Sequence, residues 1–118
     1  MAKYRIAHTA LVDVEDVLRY SQAQFGTSAR IRYQTLIRTA IEDLAVTPER
    51  VGSSPRDEIS PGLRSFHLIY VRKRAASSSG IVQRPRHVVF YRRVDDNVIE
   101  VVRILHDAME ARSHLTQQ

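Results

Sequence analysis

Two stretches with the 3.6-residue period of an amphipathic helix stand almost end to end in the first half of this sequence. Val14, Val17, Leu18, Ser21 and Phe25 share one helical face, and Tyr33, Ile37, Ala40, Ile41 and Leu44 repeat the pattern. Asp13, followed by Val14, Glu15 and Asp16, has N-cap chemistry, because its carboxylate can accept from free backbone N–H groups while acids in the first turn oppose the positive helix end. This predicts a first helix over about Val14–Phe25. Gly26 suits a left-handed C-cap, Thr27 and Ser28 suit the cap of a second helix, and Pro48 forbids its continuation. So short a connection makes the two helices an antiparallel hairpin.

Around this hairpin the texture is that of strands. Tyr4 to Thr9 alternates larger apolar or aromatic side chains with polar or small ones, the period of a short edge strand. Val51 to Gly62, with two prolines and two glycines, has loop composition. Leu63–Arg72, His87–Val94 and Val98–Leu105 are rich in β-branched and aromatic residues, and Asp95-Asp96-Asn97 is a tight-turn signal joining the last two. The serine-rich segment 75–85 reads as a hairpin loop with a mobile tip. From Asp107, a potential cap, to Leu115 the composition is helical but too short to hold without docking. Strand, two helices and three strands do not alternate as βαβ units do. The expected fold is α+β: one domain over residues 1–118, an N-terminal strand and an antiparallel helical hairpin packed on one face of an antiparallel sheet, ending in a tail at 107–118.

The composition supports a folded chain with a basic surface. At 118 residues, 43% hydrophobic and 26% charged, there is room for one core, and the net charge of +5 with a sequence pI near 10.1 favours an acidic partner. Without cysteine there is no disulfide framework and no thiolate metal site. The histidines show no ligand spacing and the four glycines build no phosphate cradle, so no metal or other cofactor is expected. No apolar run reaches the roughly 20 residues of a membrane span, and a cytoplasmic location is expected.

Arg72, Lys73, Arg74, Arg84, Arg86, Arg92 and Arg93 lie in or beside the long hairpin, with no acid between Glu58 and Asp95. Tyr70, Phe90 and Tyr91 are interleaved with them, which fits a solvated hairpin with aromatic core residues, a protein-binding surface or nucleic-acid contact. Arginine can oppose a developing phosphorane charge and histidine titrates near neutrality, so Arg64, His67, Arg92, Arg93, Arg103 and His106 supply the residue types of metal-free phosphodiester cleavage. For Arg103 and His106 the plainer reading is a polar pair at a strand end.

The order of elements, with Leu63-Arg64-Ser65-Phe66-His67, Arg86-His87-Val88-Val89-Phe90-Tyr91-Arg92 and the closing run from Val102-Arg103-Ile104-Leu105-His106 through Met109-Glu110 to His114-Leu115, resembles ParE toxins of the RelE/ParE superfamily. The resemblance implies the toxin of a type II toxin–antitoxin pair, held in a hetero-oligomer by a ParD-like antitoxin and poisoning DNA gyrase by binding, without sequence-specific nucleic-acid recognition. It makes Tyr20, Arg30, Tyr33, Arg38 and Ile41 candidate antitoxin contacts. Arg64, His67, Tyr70, Arg92, Arg93, Arg103 and His106 are the candidate target contacts. The superfamily's RelE branch cuts messenger RNA on the ribosome and closes its chain with a tyrosine arrangement. No tyrosine follows Tyr91 here, which disfavours a catalytic reading. An inactive member that only binds antitoxin is the third alternative.

Overall fold

The structure, a computed structural model, describes residues 2–115. Its elements are β1 (Lys3–Ile6), α1 (His8–Phe25), α2 (Thr27–Val46), β2 (Ser53–Pro55), β3 (Arg64–His67), a 3₁₀ turn (Leu68–Val71), β4 (His87–Asp95), β5 (Val98–His106) and α3 (Ala111–Leu115). The strands form one sheet in the order β1-β5-β4-β3-β2. The helical hairpin lies on one face, where Leu36, Ile37, Ala40, Ile41 and Leu44 of α2 pack against Phe66, Val89, Tyr91, Ile99, Val101 and Ile104.

The sheet is mixed, not antiparallel throughout. β1 lies at the edge and runs parallel to β5, with Lys3 opposite Val98 and Ile6 opposite Val101. The hairpin works as a long crossover: it carries the chain over one face, and the β3-β4-β5 meander brings the last strand back beside the first in the same direction.

α1 starts at His8, a turn and a half before the position that Asp13 marks as a cap. Asp13 is occupied elsewhere. β1 ends at Ile6 while β5 runs on to His106, leaving the outer edge of β5 without a strand, and the first turns of α1 fill the gap. The Ala7 N–H donates to the Val101 carbonyl (2.9 Å), the Thr9 hydroxyl donates to the Val102 carbonyl (3.2 Å), and the Ile104 N–H donates to Asp13 Oδ2 (2.9 Å). The same carboxylate takes two bonds from the Arg103 guanidinium, at 2.8 and 2.9 Å. α2 likewise begins without a side-chain cap from Thr27 or Ser28. Gly26 makes the corner at φ 93°, donating to the Gln22 carbonyl and accepting from the Arg30 N–H, a conformation that disfavours any residue with a Cβ.

Two departures lie between the helices and β4. The loop after α2 contains β2, whose Ser53 pairs with Phe66. The expected strand Leu63–Arg72 ends at His67, because the buried residues beyond it, Leu68 and Val71, are three apart and not two, which suits a 3₁₀ turn. β4 and β5 form close to their expected limits; Phe90 and Tyr91 alternate onto different cores, and the register shift between them leaves Val102 as an extra residue on β5, so that Val101 and Ile104 both face the main core. Leu63, Phe90, Val102 and Leu105 make a second apolar cluster, which Leu115 of the docked α3 closes. The expected tail helix is thereby shortened to Ala111–Leu115, and residues 116–118 of the expected tail lie outside the described residues.

Candidate functional site

An open groove of about 790 Å³ runs between the helical hairpin and the segment leading into β4. Val17, Tyr20, Ser21 and Phe25 of α1 form one wall, Ala29, Arg32 and Tyr33 of α2 the base, and residues 81–84 the other wall. Tyr20 is 62% exposed and Phe25 71% exposed, their rings edge to face with centroids 6.5 Å apart. Phe25 therefore leaves the core stripe its spacing assigned it to: it sits on the last turn of α1, beyond the reach of the sheet. The serine-rich loop is tied to the groove base by Arg32, which donates to the Ser79 carbonyl (3.1 Å). Gly80 sits over the Arg32 stem, where a Cβ would come within 3.2 Å of Cδ.

At the strand end the groove meets a polar cluster drawn from four parts of the chain. Tyr33 Oη lies 2.7 Å from His87 Nδ1 and accepts the Arg86 N–H. The His87 and His106 rings meet edge to face at 5.4 Å. Asp107 takes a forked contact from Arg86, at 2.8 to 3.1 Å, and lies 3.0 Å from His67 Nε2. Burial, aided by the neighbouring His106, pushes His87 down to about 4, so its ring is neutral at physiological pH. Burial also pushes Tyr33 up to about 12, keeping its hydroxyl protonated. Hydrogen bonds from Arg86, then His67, hold the Asp107 carboxyl well below the usual carboxylate range.

The candidate residues divide among several places. Tyr20 and Tyr33 line the groove. Arg30 shares α2 with Tyr33 and bonds Gln34 (3.4 Å), and Arg38 is exposed on the same helix. Ile41 is 3% exposed and belongs to the core. Arg64 donates to Ser53 Oγ (2.8 Å) and Arg92 to Ser60 Oγ (3.3 Å), while Arg64 and Arg93 border a separate hollow beside Pro48 and Tyr91. Tyr70 lies with its ring on the backbone of Gly52, where a Cβ would meet it at 2.7 Å, and packs beside Phe66. His67 and His106 join the Asp107 cluster, whereas Arg103 is committed to Asp13 and the His114 carbonyl.

The hairpin's positive field is smaller than its count of seven implies. Arg74 is held by Asp43 at 2.8 and 2.9 Å and Arg86 by Asp107, and Phe90 and Tyr91 are buried. The Tyr91 hydroxyl is bonded to Ser53 and the Pro48 carbonyl. The candidate site residues read from the sequence left out His87 and the groove-lining Met109, and the sequence marked Arg84 only as part of the basic run and Asp107 only as a possible cap. One signal was readable: the turn places Asp95 opposite Val98, and the same pairing carried down the hairpin sets His87 opposite His106.

A family model described as ParE toxin of type II toxin–antitoxin system, parDE, matches residues 4–111. The chain belongs to the ParE toxin family. Toxin ParE1 of Caulobacter vibrioides is 33% identical over 115 residues, covering 98% of this chain and 99% of the relative. Toxin ParE1 of Mycobacterium tuberculosis is 28% identical over 114 residues, covering 97% and 98%. Among solved structures, the chromosomal ParDE TA system from P. aeruginosa shares the fold at a TM-score of 0.64 and 15% identity, covering 90% of this chain and 96% of that one. The ParE match thus spans both helices, the sheet and the polar cluster. Among the described residues, no helix is long and apolar enough to cross a membrane.

Proposed function

We propose that this ParE-family chain acts by binding, poisoning DNA gyrase when free and being neutralised in the cytoplasm by a ParD-like antitoxin that covers the helical hairpin. The observation that carries the reading is the preformed groove, whose rim exposes Tyr20 and Phe25. Apolar rings presented to solvent beside a hollow of this size are the surface a partner buries. Arg30 and Arg38 on α2 give that partner cationic contacts, while Ile41 supports the helix from beneath. The target contacts are Tyr70, Arg92, Arg93 and Arg64, while the other candidates, His67 and His106, lie apart in the Asp107 cluster and Arg103 acts through its hold on Asp13.

The histidine cluster favours one second reading, cleavage of messenger RNA, since three imidazoles and Arg86 surround Asp107. Against it, Arg103 is tied to Asp13 and does not join them. Free toxin incubated with gyrase and supercoiled plasmid is expected to accumulate cleaved DNA and to leave translated messages intact. Message cleavage lost on His106→Ala would establish the second reading. Neither effect, together with retained antitoxin binding, would leave an inactive family member.

A further inference from the structure

The hydrogen bonds inside the polar cluster fix where its protons sit. The Ala108 N–H donates to His106 Nδ1 (3.1 Å), so that nitrogen is an acceptor and the proton is on Nε2. The Tyr33 hydroxyl accepts the Arg86 N–H (3.2 Å), and among the described residues the acceptor within reach of its own proton is His87 Nδ1 (2.7 Å); donating there satisfies both groups and puts the His87 proton on Nε2. Both rings line the groove, and among the described residues neither Nε2–H has an acceptor. Arg84 lines the same end and makes no ion pair among the described residues. The nearby acids are spent, Asp107 on Arg86 and His67, and Asp16 on Arg19 at 2.9 Å. An apolar groove thus ends in donors that exceed the acceptors around them.

We propose that this groove recognises an apolar protein segment bearing a side-chain carboxylate, with the apolar residues against Val17, Tyr20 and Phe25 and the carboxylate received by His87, His106 and Arg84. Charge complementarity selects this occupant: Arg32 at the base is turned onto the Ser79 carbonyl, and the donors left open, on His87, His106 and Arg84, are grouped together, so a single anion at a fixed distance from an apolar body satisfies them. A nucleic acid would need cationic contacts spaced along its backbone, and the α1 wall is apolar. The inference rests on this face being the antitoxin seat, yet it specifies the register in which any such segment must lie.

The test is selection of random peptides, displayed with their C-termini blocked, on the full chain. Enriched sequences are expected to place Asp or Glu at a constant spacing from apolar residues. For the best peptide, made as the C-terminal amide, replacing that acid by its amide is expected to weaken binding about tenfold or more. Against Arg84→Ala, which removes an exposed side chain and leaves the fold intact, the same replacement is expected to cost less than about threefold. His106→Ala gives a second arm of the same cycle. The proposal is overturned if the enriched peptides lack a fixed acid, if no peptide is enriched, if the amide swap costs the same on Arg84→Ala as on the parent, or if an RNA oligonucleotide displaces the peptide. These readouts do not involve gyrase or growth. Acid-dependent binding without toxicity keeps this inference and rejects the toxin reading, and toxicity without acid-dependent binding does the reverse.

Discussion

Asp13 answers two needs at once: it accepts the Ile104 N–H at the bare edge of β5 and neutralises the largely buried Arg103 guanidinium. Removing it leaves a strand N–H without a partner and the arginine with only the His114 carbonyl, so Asp13→Ala is expected to cost about 3 kcal/mol of stability, read as a lower urea midpoint at unchanged slope. Asp13→Asn keeps an acceptor but loses the charge and should fall between the two. His87 sets an acid limit. Its folded value of about 4 lies below the ordinary 6.5, so the unfolded chain takes up the proton first. Stability from this group is full above about pH 6.5, declines as the pH falls toward 4, and changes no further below that. The depressed Asp107 adds a loss in the same direction at lower pH. Denaturation at pH 7.5, 5.5 and 4.5 should show the decline, and His87→Phe should flatten it above pH 4.5; an equal slope in the variant would place the cause elsewhere.

At the scale of elements, α3 buries one side chain in the second face, with Ala111 packed at its margin. Leu115 is 3% exposed against Phe90, Val102 and Leu105, and five residues of helix have no stability of their own. Leu115→Ala is expected to cost about 2–3 kcal/mol and to release the tail, which raised amide exchange over residues 111–115 would report. Periodicity reveals the helical hairpin, because one buried face imposes one period over many residues, and β-branched and aromatic composition reveals β4 and β5, which bury both faces. It fails where a tertiary partner outbids a local preference. Asp13 looks like a cap, but the open edge of β5 offers its carboxylate a stronger use. Leu68 and Val71 lie in a β-like run, but the core takes them three residues apart. The functional end of the groove was hidden for a related reason. His67, His87 and the neighbours His106 and Asp107 come from the ends of three strands, and only the strand register brings them together.

At the scale of the molecule, the groove and the Tyr70 platform involve different elements: α1, α2 and the segment before β4 on one hand, β2 and the 3₁₀ turn on the other. On the proposed reading, substitutions at Tyr20 or Phe25 are therefore expected to weaken neutralisation, and one at Tyr70 target binding. The pairing of β1 with β5 joins the earliest strand to the last, and β5 supplies Ile99, Val101 and Ile104 to the main core. During translation the hairpin's apolar stripe emerges before the strand that covers it has been made, and folding waits on long-range closure. Ribosome-bound chains halted after Asp95 are expected to stay protease-sensitive, and chains extended well past His106 to become resistant. On the proposed reading, the interval before β5 appears is one in which an antitoxin already present can be waiting.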